Sequence, residues 1–209
     1  MQGISDIIKR IAIIGCVAMG TVTAATADSF TRAWVSVERT GKISPALKNA
    51  WQHSPLYPEL IAELTEKRLG SISAQDLETL MAQYPDSAAI ANLRWKKLFR
   101  LGRANWYKDF LFLYRPTDSV ELNCYKLEAR YRLKQAKDAD HREAVRLWTH
   151  GKSQPKACDT LFSLIQQRGL ITKEVRLRRI DHALEKRQLQ LARWLAKPLD
   201  QSATKHINA

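Results

Sequence analysis

Ser153 and Lys156, in the order Ser-Gln-Pro-Lys, have the S-x-x-K spacing that can place a lysine amine beside a serine nucleophile. Enzymes that use this pair also need an S-D-N and a K-T-G motif, and the chain contains neither. The same spacing recurs at Ser202 and Lys205 in a polar terminal segment, so the pattern arises easily. A turn before a helix therefore explains Ser153 better than nucleophilic catalysis.

Acid–base cleavage of a glycosidic bond would need a carboxyl group of raised pKa in a cleft, often opposite a second carboxylate. The glutamates fall instead in charged helical patterns, such as Glu121 and Glu128, which are typical of a solvated face. The five histidines have no metal-ligand spacing and no nucleophile beside them. These patterns predict no catalytic residue, no metal site and no cofactor.

Residues 1–27 have the pattern of a signal peptide. Lys9 and Arg10 precede the apolar run Ile11–Val22, and small residues leading up to Ala27 offer a cleavage site. The apolar run is shorter than the roughly 20 residues that a bilayer span requires. We therefore predict export to the periplasm, cleavage after Ala27 and no stable membrane span.

Two of the three cysteines, Cys124 and Cys158, remain once the signal segment is removed. Each lies on an apolar helical face, and the two faces comprise Val120, Cys124, Leu127 and Tyr131, and Cys158, Leu161, Phe162 and Ile165. An even number of cysteines in an exported chain favours a disulfide, and two separate buried thiols are the alternative. Lipid attachment at Cys16 would leave an apolar run shorter than the usual ~7–15 residues.

Helix signals recur along the whole of residues 28–195, and no alternating strand pattern is present. Ser44-Pro45 predicts a capped helix start. Asp118 and Asp140, each three residues before a glutamate, predict capping boxes. Turns are predicted at residues 40–41, 54–55, 69–71, 84–86, 102, 115–116, 151 and 169.

Short helical pairs of this kind, none able to bury its apolar face alone, are expected to stack as a solenoid. The predicted fold is all-α, a superhelical solenoid of short helix hairpins that is tetratricopeptide-like with degenerate repeats. We predict one such domain over residues 28–195 and a polar, frayed tail over residues 196–209. Six tryptophans, about one per hairpin, are predicted to be core residues rather than sugar-stacking ones: Trp34, Trp51, Trp95, Trp106, Trp148 and Trp194.

The segment Leu147–Phe162, LWTHGKSQPKACDTLF, combines a helix end, a turn at Gly151 and a new helix start at Pro155. Together with Cys124, it closely resembles the N-terminal helical domain of the soluble lytic murein transglycosylases, periplasmic enzymes that cleave peptidoglycan glycan strands. The resemblance implies a superhelix of helical pairs that forms a partial ring. The family's catalytic domain uses a glutamate followed by serine, and no such pair occurs in this chain.

The chain is strongly basic, with 34 Lys and Arg against 21 Asp and Glu and a formal net charge of +13. Lys96, Arg100 and Arg103 share one helical face, and Arg176 and Arg179 lie in a second basic cluster. A solvated face is the simplest interpretation, but either cluster could attract a long polyanion. For an exported chain that polymer is peptidoglycan rather than nucleic acid.

Three functions follow from the sequence and the resemblance. The favoured one is a non-catalytic, structural or glycan-engaging part of a lytic transglycosylase, whether it occurs alone or as a truncated product. The second is part of an active enzyme whose catalytic domain lies on a separate or missing segment. The third, a basic helical-repeat protein that binds nucleic acid in the cytoplasm, requires the signal-peptide prediction to be wrong.

Overall fold

The computed structural model describes residues 24–199, with side chains from residue 29 onward. Within that range the chain forms eleven α-helices, one short 3-10 helix and no strand, which confirms the predicted all-α class. None of these helices combines the length and the hydropathy that a bilayer crossing requires. The predicted signal peptide, residues 1–27, and the predicted tail, residues 196–209, lie largely outside the described residues.

Short links join consecutive helices along the chain. The helices are α1 Ala24–Thr40, α2 Pro45–Trp51, α3 Tyr57–Lys67, α4 Ala74–Gln83, α5 Ala88–Arg103, α6 Tyr107–Leu113, α7 Val120–Arg132, α8 Asp138–Trp148, α9 Asp159–Gln167, α10 Lys173–Glu185 and α11 Leu189–Ala196. The 3-10 helix, Lys156–Cys158, directly precedes α9. Neighbours in sequence pack together, as α6 does with α7 and α10 with α11, which is the pattern expected of helical hairpins.

Three helix starts test the predicted caps. Ser44 caps α2 as predicted, because its hydroxyl accepts a hydrogen bond from the backbone N–H of Leu47. The prediction for Asp118 is wrong by one residue, since Ser119 caps α7. Asp140 is not an N-cap either: α8 begins two residues earlier, and the Asp140 carboxylate accepts from the backbone N–H of Lys137 at 3.0 Å. It therefore supplies the acidic half of the box rather than its start.

Glycines at the predicted turns have different roles. Gly41 and Gly169 have φ values of +64° and +72°, the left-handed conformation that favours glycine after a helix. The turn predicted at Gly102 is wrong, because this residue lies inside α5. A Cβ atom at Gly102 would lie 2.5 Å from Cδ2 of Tyr125, so the glycine permits the Tyr125 ring to lie against the helix. A lone glycine signals either role, and only the packing distinguishes them.

Two compact units divide the chain. Among the described residues, one unit contains those up to Ile72 together with Gln83–Leu93, and the other contains Ser73–Ala82 together with those from Arg94 onward. In the first unit α1 packs on α3 around the buried residues Phe30, Ala33, Val37 and Leu60. The second unit has a larger apolar core, to which α7, α8, α9, α10 and α11 all contribute.

A disulfide between Cys124 and Cys158 lies in the core of the second unit. It joins α7 to the 3-10 helix, and both cysteines are fully buried. Leu127 and Leu161, one turn or less from the two cysteines, are fully buried in the same core. The pairing is the one that the sequence favoured over two separate thiols, and it fixes α7 relative to the start of α9.

Replacing both cysteines by alanine should lower the free energy of unfolding by about 3–4 kcal/mol, because the link closes a loop between residues 34 positions apart. Urea unfolding followed by circular dichroism measures this loss. Addition of dithiothreitol should destabilise the wild type by a similar amount and leave the double variant unchanged. Equal sensitivity of the two proteins to the reductant would contradict the pairing.

Gly102→Ala should also destabilise the fold, by about 1–2 kcal/mol, because the added methyl group overlaps the Tyr125 ring. The sign is informative, since alanine in a helix interior otherwise stabilises by roughly 0.5–1 kcal/mol relative to glycine. In a Tyr125→Ala background the same substitution should become neutral or stabilising. A loss of similar size in both backgrounds would show that the ring contact is not the cause.

Candidate functional site

The second unit contains a cleft of about 780 Å³, here called the Trp148 cleft. Its aromatic lining consists of Trp148 at the end of α8, Phe162 on α9 and Trp194 on α11. Arg179 on α10 is its cationic lining residue. The polar lining is rich in amides and hydroxyls, which belong to Ser153, Gln154, Ser163, Gln166, Gln167, Gln188 and Gln190. Asp159 and Leu191 complete it.

Arg179 is buried to 5% exposure beside two aromatic rings. The carbon at the centre of its guanidinium lies 4.6 Å from the ring centroid of Trp148 and 5.8 Å from that of Phe162. Its Nε is buried without a hydrogen-bond partner, and among the described residues no carboxylate forms an ion pair with it. Burial, reinforced by the nearby charge of Arg176, lowers the pKa of Arg179 to about 10. The guanidinium therefore remains charged at neutral pH.

The position of α10 on the turn after α8 explains how Arg179 reaches Trp148. Nδ1 of His182 lies 2.8 Å from the carbonyl oxygen of Thr149. Two residues after Thr149, Gly151 lies so close to the backbone carbonyl of His182 that a Cβ atom at this position would overlap it. Gly151 was predicted as a helix stop, but Thr149 is the C-cap of α8 and Gly151 instead allows this approach. Arg179 precedes His182 by one helical turn and thus lies over Trp148.

The tryptophans do not all occupy the core, so that prediction is wrong for three of them. Trp148 is 3% exposed, whereas Trp194 is 56% exposed in the wall of the cleft. Trp95 and Trp106 are also exposed, at 42% and 56%. Helical spacing placed one tryptophan near each hairpin but did not show which side faces a neighbouring helix. Trp194 is the exposed aromatic residue that sequence reasoning assigned to the core and the structure assigns to the cleft.

The predicted basic residues fall into two groups. Lys96 and Arg100 are exposed on α5, and Arg103 forms an ion pair with Glu121 at 3.7 Å. This group therefore has the solvated character that the sequence suggested. Arg176 and Arg179 both lie against Trp148, with Arg176 at 5.6 Å from the ring centroid. The structure thus places both of these predicted arginines against Trp148, a contact that the sequence did not show.

Ser153 and Lys156 do not form a catalytic pair. Ser153 lines the Trp148 cleft, whereas Lys156 lines a separate pocket of about 500 Å³. The contacts of the described residues include no hydrogen bond between them. Lys156 instead begins the 3-10 helix that leads to Cys158. The turn interpretation of this motif agrees with the structure.

Glu128 differs from its prediction, because it is buried rather than solvated. Burial raises the pKa of its carboxyl group, although two partners oppose the shift. The hydroxyl of Tyr107 donates to Oε1 at 3.1 Å, and Nε of Arg132 lies 3.7 Å from the same oxygen. With these contacts Glu128 ties α7 to the start of α6. The charged pattern that contains Glu121 and Glu128 gave no signal that Glu128 was buried.

The solved structures to which the chain is similar belong to enzymes much longer than itself. No family model matches it, and no curated protein is significantly similar to it in sequence. An inactive mutant of the lytic transglycosylase Slt from Pseudomonas aeruginosa is 31% identical, with a TM-score of 0.69 over 83% of this chain and 28% of that one. The 70 kDa soluble lytic transglycosylase of Escherichia coli is 21% identical, with a TM-score of 0.73 over 87% of this chain and 31% of that one.

A complex of a 70 kDa soluble lytic transglycosylase with bulgecin A gives a similar result, at 21% identity and a TM-score of 0.72. The chain is thus a superhelical all-α protein. Its resemblance to the soluble lytic transglycosylase family is confirmed in both sequence and fold. It spans less than a third of the length of these relatives.

Arg179→Met should leave the free energy of unfolding unchanged or raise it by about 1 kcal/mol. Exchanging a poorly paired buried charge for an apolar side chain of similar size is often neutral or stabilising. The lost attraction between Arg179 and Trp148 offsets part of the gain. Arg178→Met, at the exposed neighbouring position, serves as the control and should have little effect. Thermal unfolding tests both, and a large loss in the Arg179 variant alone would show that this cation supports the fold.

Proposed function

We propose that the chain is a non-catalytic superhelical module of the lytic transglycosylase type that engages peptidoglycan in the periplasm. The observation that carries this proposal is the 31% identity to a lytic transglycosylase across 83% of the chain. The sequence contributes no Glu-Ser pair, the residues that the family's catalytic domain uses, so binding rather than cleavage is the activity assigned to this chain.

Charge supports the same proposal. The chain has a formal net charge of +13, and the stem peptides of peptidoglycan carry carboxylates. The exposed cations Lys96 and Arg100, with Arg103 beside them, would attract this polymer through a long-range field. Arg176 and Arg179 would act at shorter range, from the side of the Trp148 cleft.

A second function rests on the length of the relatives. They are lytic transglycosylases, and the chain spans less than a third of each. The chain could then contribute to peptidoglycan cleavage together with a catalytic domain on another segment. Release of anhydro-muropeptides from murein sacculi separates the two proposals. The chain alone should release none, and release on addition of a lytic transglycosylase catalytic domain would favour the second proposal.

Binding to the polymer is tested by co-sedimentation of the purified chain, without residues 1–27, with murein sacculi. We expect binding that weakens as salt rises, because it depends on exposed charges. Changing both Lys96 and Arg100 to Gln should weaken it by roughly two- to thirtyfold, since each exposed charge contributes about 0.2–1 kcal/mol.

Lys42 and Lys48 provide a matched control, because both are exposed lysines that lie outside the predicted basic clusters. Their double change to Gln alters the net charge equally and should have a smaller effect. Absence of sedimentation by the wild type at low salt would reject the proposed function. Preferential binding of a single-stranded oligonucleotide over sacculi would favour the nucleic-acid alternative.

A further inference from the structure

The Trp148 cleft contains a buried cation, Arg179, that forms no ion pair with a carboxylate of the described residues. Arg179 is 5% exposed, its Nε has no hydrogen-bond partner, and Arg176 adds positive charge nearby. The other buried ionic residues with described contacts do have partners, as Lys126 does in Glu143. An uncompensated buried charge is costly, so its presence in the wall of a cleft indicates an anionic ligand.

The rest of the lining indicates what surrounds that anion. Trp194 offers an exposed indole face, and five glutamines and two serines offer both donors and acceptors. Aromatic faces flanked by amides and hydroxyls suit the apolar faces and equatorial hydroxyls of a sugar ring. The cleft volume of about 780 Å³ lies within the roughly 300–1,000 Å³ that is usual for ligand sites.

The same lining argues against a polyphosphate. A chain of phosphates attracts several cations, but Arg179 is accompanied in the lining by Asp159, which would repel a second negative group. A guanidinium is well matched to one carboxylate, which it can bind with two parallel hydrogen bonds. One lining cation, accompanied by one acidic residue and otherwise neutral polar groups, therefore favours a ligand with a single carboxylate near an uncharged ring.

We propose that the Trp148 cleft binds a carboxylate-bearing saccharide unit, with Arg179 receiving the carboxylate and Trp194 stacking on the sugar ring. This inference rests on the proposed function and deepens it, because it assigns the recognition of peptidoglycan to one cleft and one chemical group. It makes Arg179 a binding residue whose burial is compensated when the ligand is present.

The test compares two soluble probes by isothermal titration calorimetry with the whole purified chain. One probe is a disaccharide of N-acetylglucosamine and N-acetylmuramic acid with a free lactyl carboxylate. The other is an N-acetylglucosamine disaccharide, which has no carboxylate. We expect the acidic probe to bind at least about tenfold more tightly, as a charge-assisted hydrogen bond would produce.

Variants locate the binding. Trp194→Ala should weaken the acidic probe by about tenfold, whereas Trp106→Ala, at an equally exposed tryptophan outside the cleft, should change it less than about twofold. Arg179→Gln should remove the preference for the acidic probe, and Arg178→Gln at the exposed neighbouring position should keep it. If Arg179→Gln does not fold, the tryptophan pair decides the result.

Sacculus binding distinguishes failure of this inference from failure of the proposed function. Wild-type chain that sediments with sacculi but binds neither disaccharide, or binds both equally, overturns the cleft assignment and leaves the proposed function standing. Equal losses in the Trp194 and Trp106 variants overturn it as well. The inference stands if the acidic disaccharide binds more tightly than the neutral one, with the stated dependence on Trp194 and, where the variant folds, on Arg179. A folded Arg179→Gln variant that keeps the preference overturns it, and absence of sacculus sedimentation rejects the proposed function separately.

Discussion

The disulfide between Cys124 and Cys158 constrains the part of the second unit that contains the Trp148 cleft. It holds the 3-10 helix against α7, and so fixes where the turn after α8 ends and where α9 begins. Phe162 and Asp159 enter the cleft from the first turn of α9. The hydrogen bond between His182 and Thr149 then positions α10 on the other end of that turn. Movement of the 3-10 helix would therefore displace two walls of the cleft.

Asp140 is a buried ionic residue that, unlike Arg179, has an oppositely charged partner. Asp140 is 2% exposed, and its carboxylate accepts hydrogen bonds from Arg130 at 2.6 Å and from the backbone N–H of Lys137. The two contacts hold the pKa of Asp140 below its ordinary value, although burial alone would raise it. Arg179 has no carboxylate partner among the described residues, and the rings of Trp148 and Phe162 lie beside its guanidinium instead. Cation–π attraction offsets burial less completely than an ion pair, which leaves Arg179 suited to an incoming anion.

The similarity to solved structures supports the fold and the family resemblance, whereas the proposed binding function depends on residues of this chain. Identity of 31% and TM-scores of 0.69–0.73 establish the fold and the family resemblance over most of the chain. They describe proteins of which this chain spans less than a third, so the activity of the whole enzyme is not transferred with the fold. The binding proposal depends instead on residues of this chain, namely its exposed cations and the lining of one cleft.

Local features were predictable because they depend on residues close together in sequence. Helical periodicity predicted the all-α class, Ser44-Pro45 predicted the start of α2, and Gly169 predicted the turn that follows α9. The two cysteines could be placed on apolar faces for the same reason, since a buried face repeats every three or four residues. The capping boxes at Asp118 and Asp140 were displaced, because several neighbouring residues there can cap a helix and only their contacts select one.

Tertiary packing decided the features that distinguish one helical face from another. Sequence by itself determined that α10 carries several arginines, but the approach of the turn after α8 to α10 at Gly151 determined that Arg179 is buried on Trp148. The same holds for Gly102, which accommodates a ring from another helix, and for Trp194, whose exposure depends on which helices lie beside α11. A repeat of apolar residues specifies that a face is buried without specifying its partner. The partner decides whether a charge on that helix is solvated, paired or left available to a ligand.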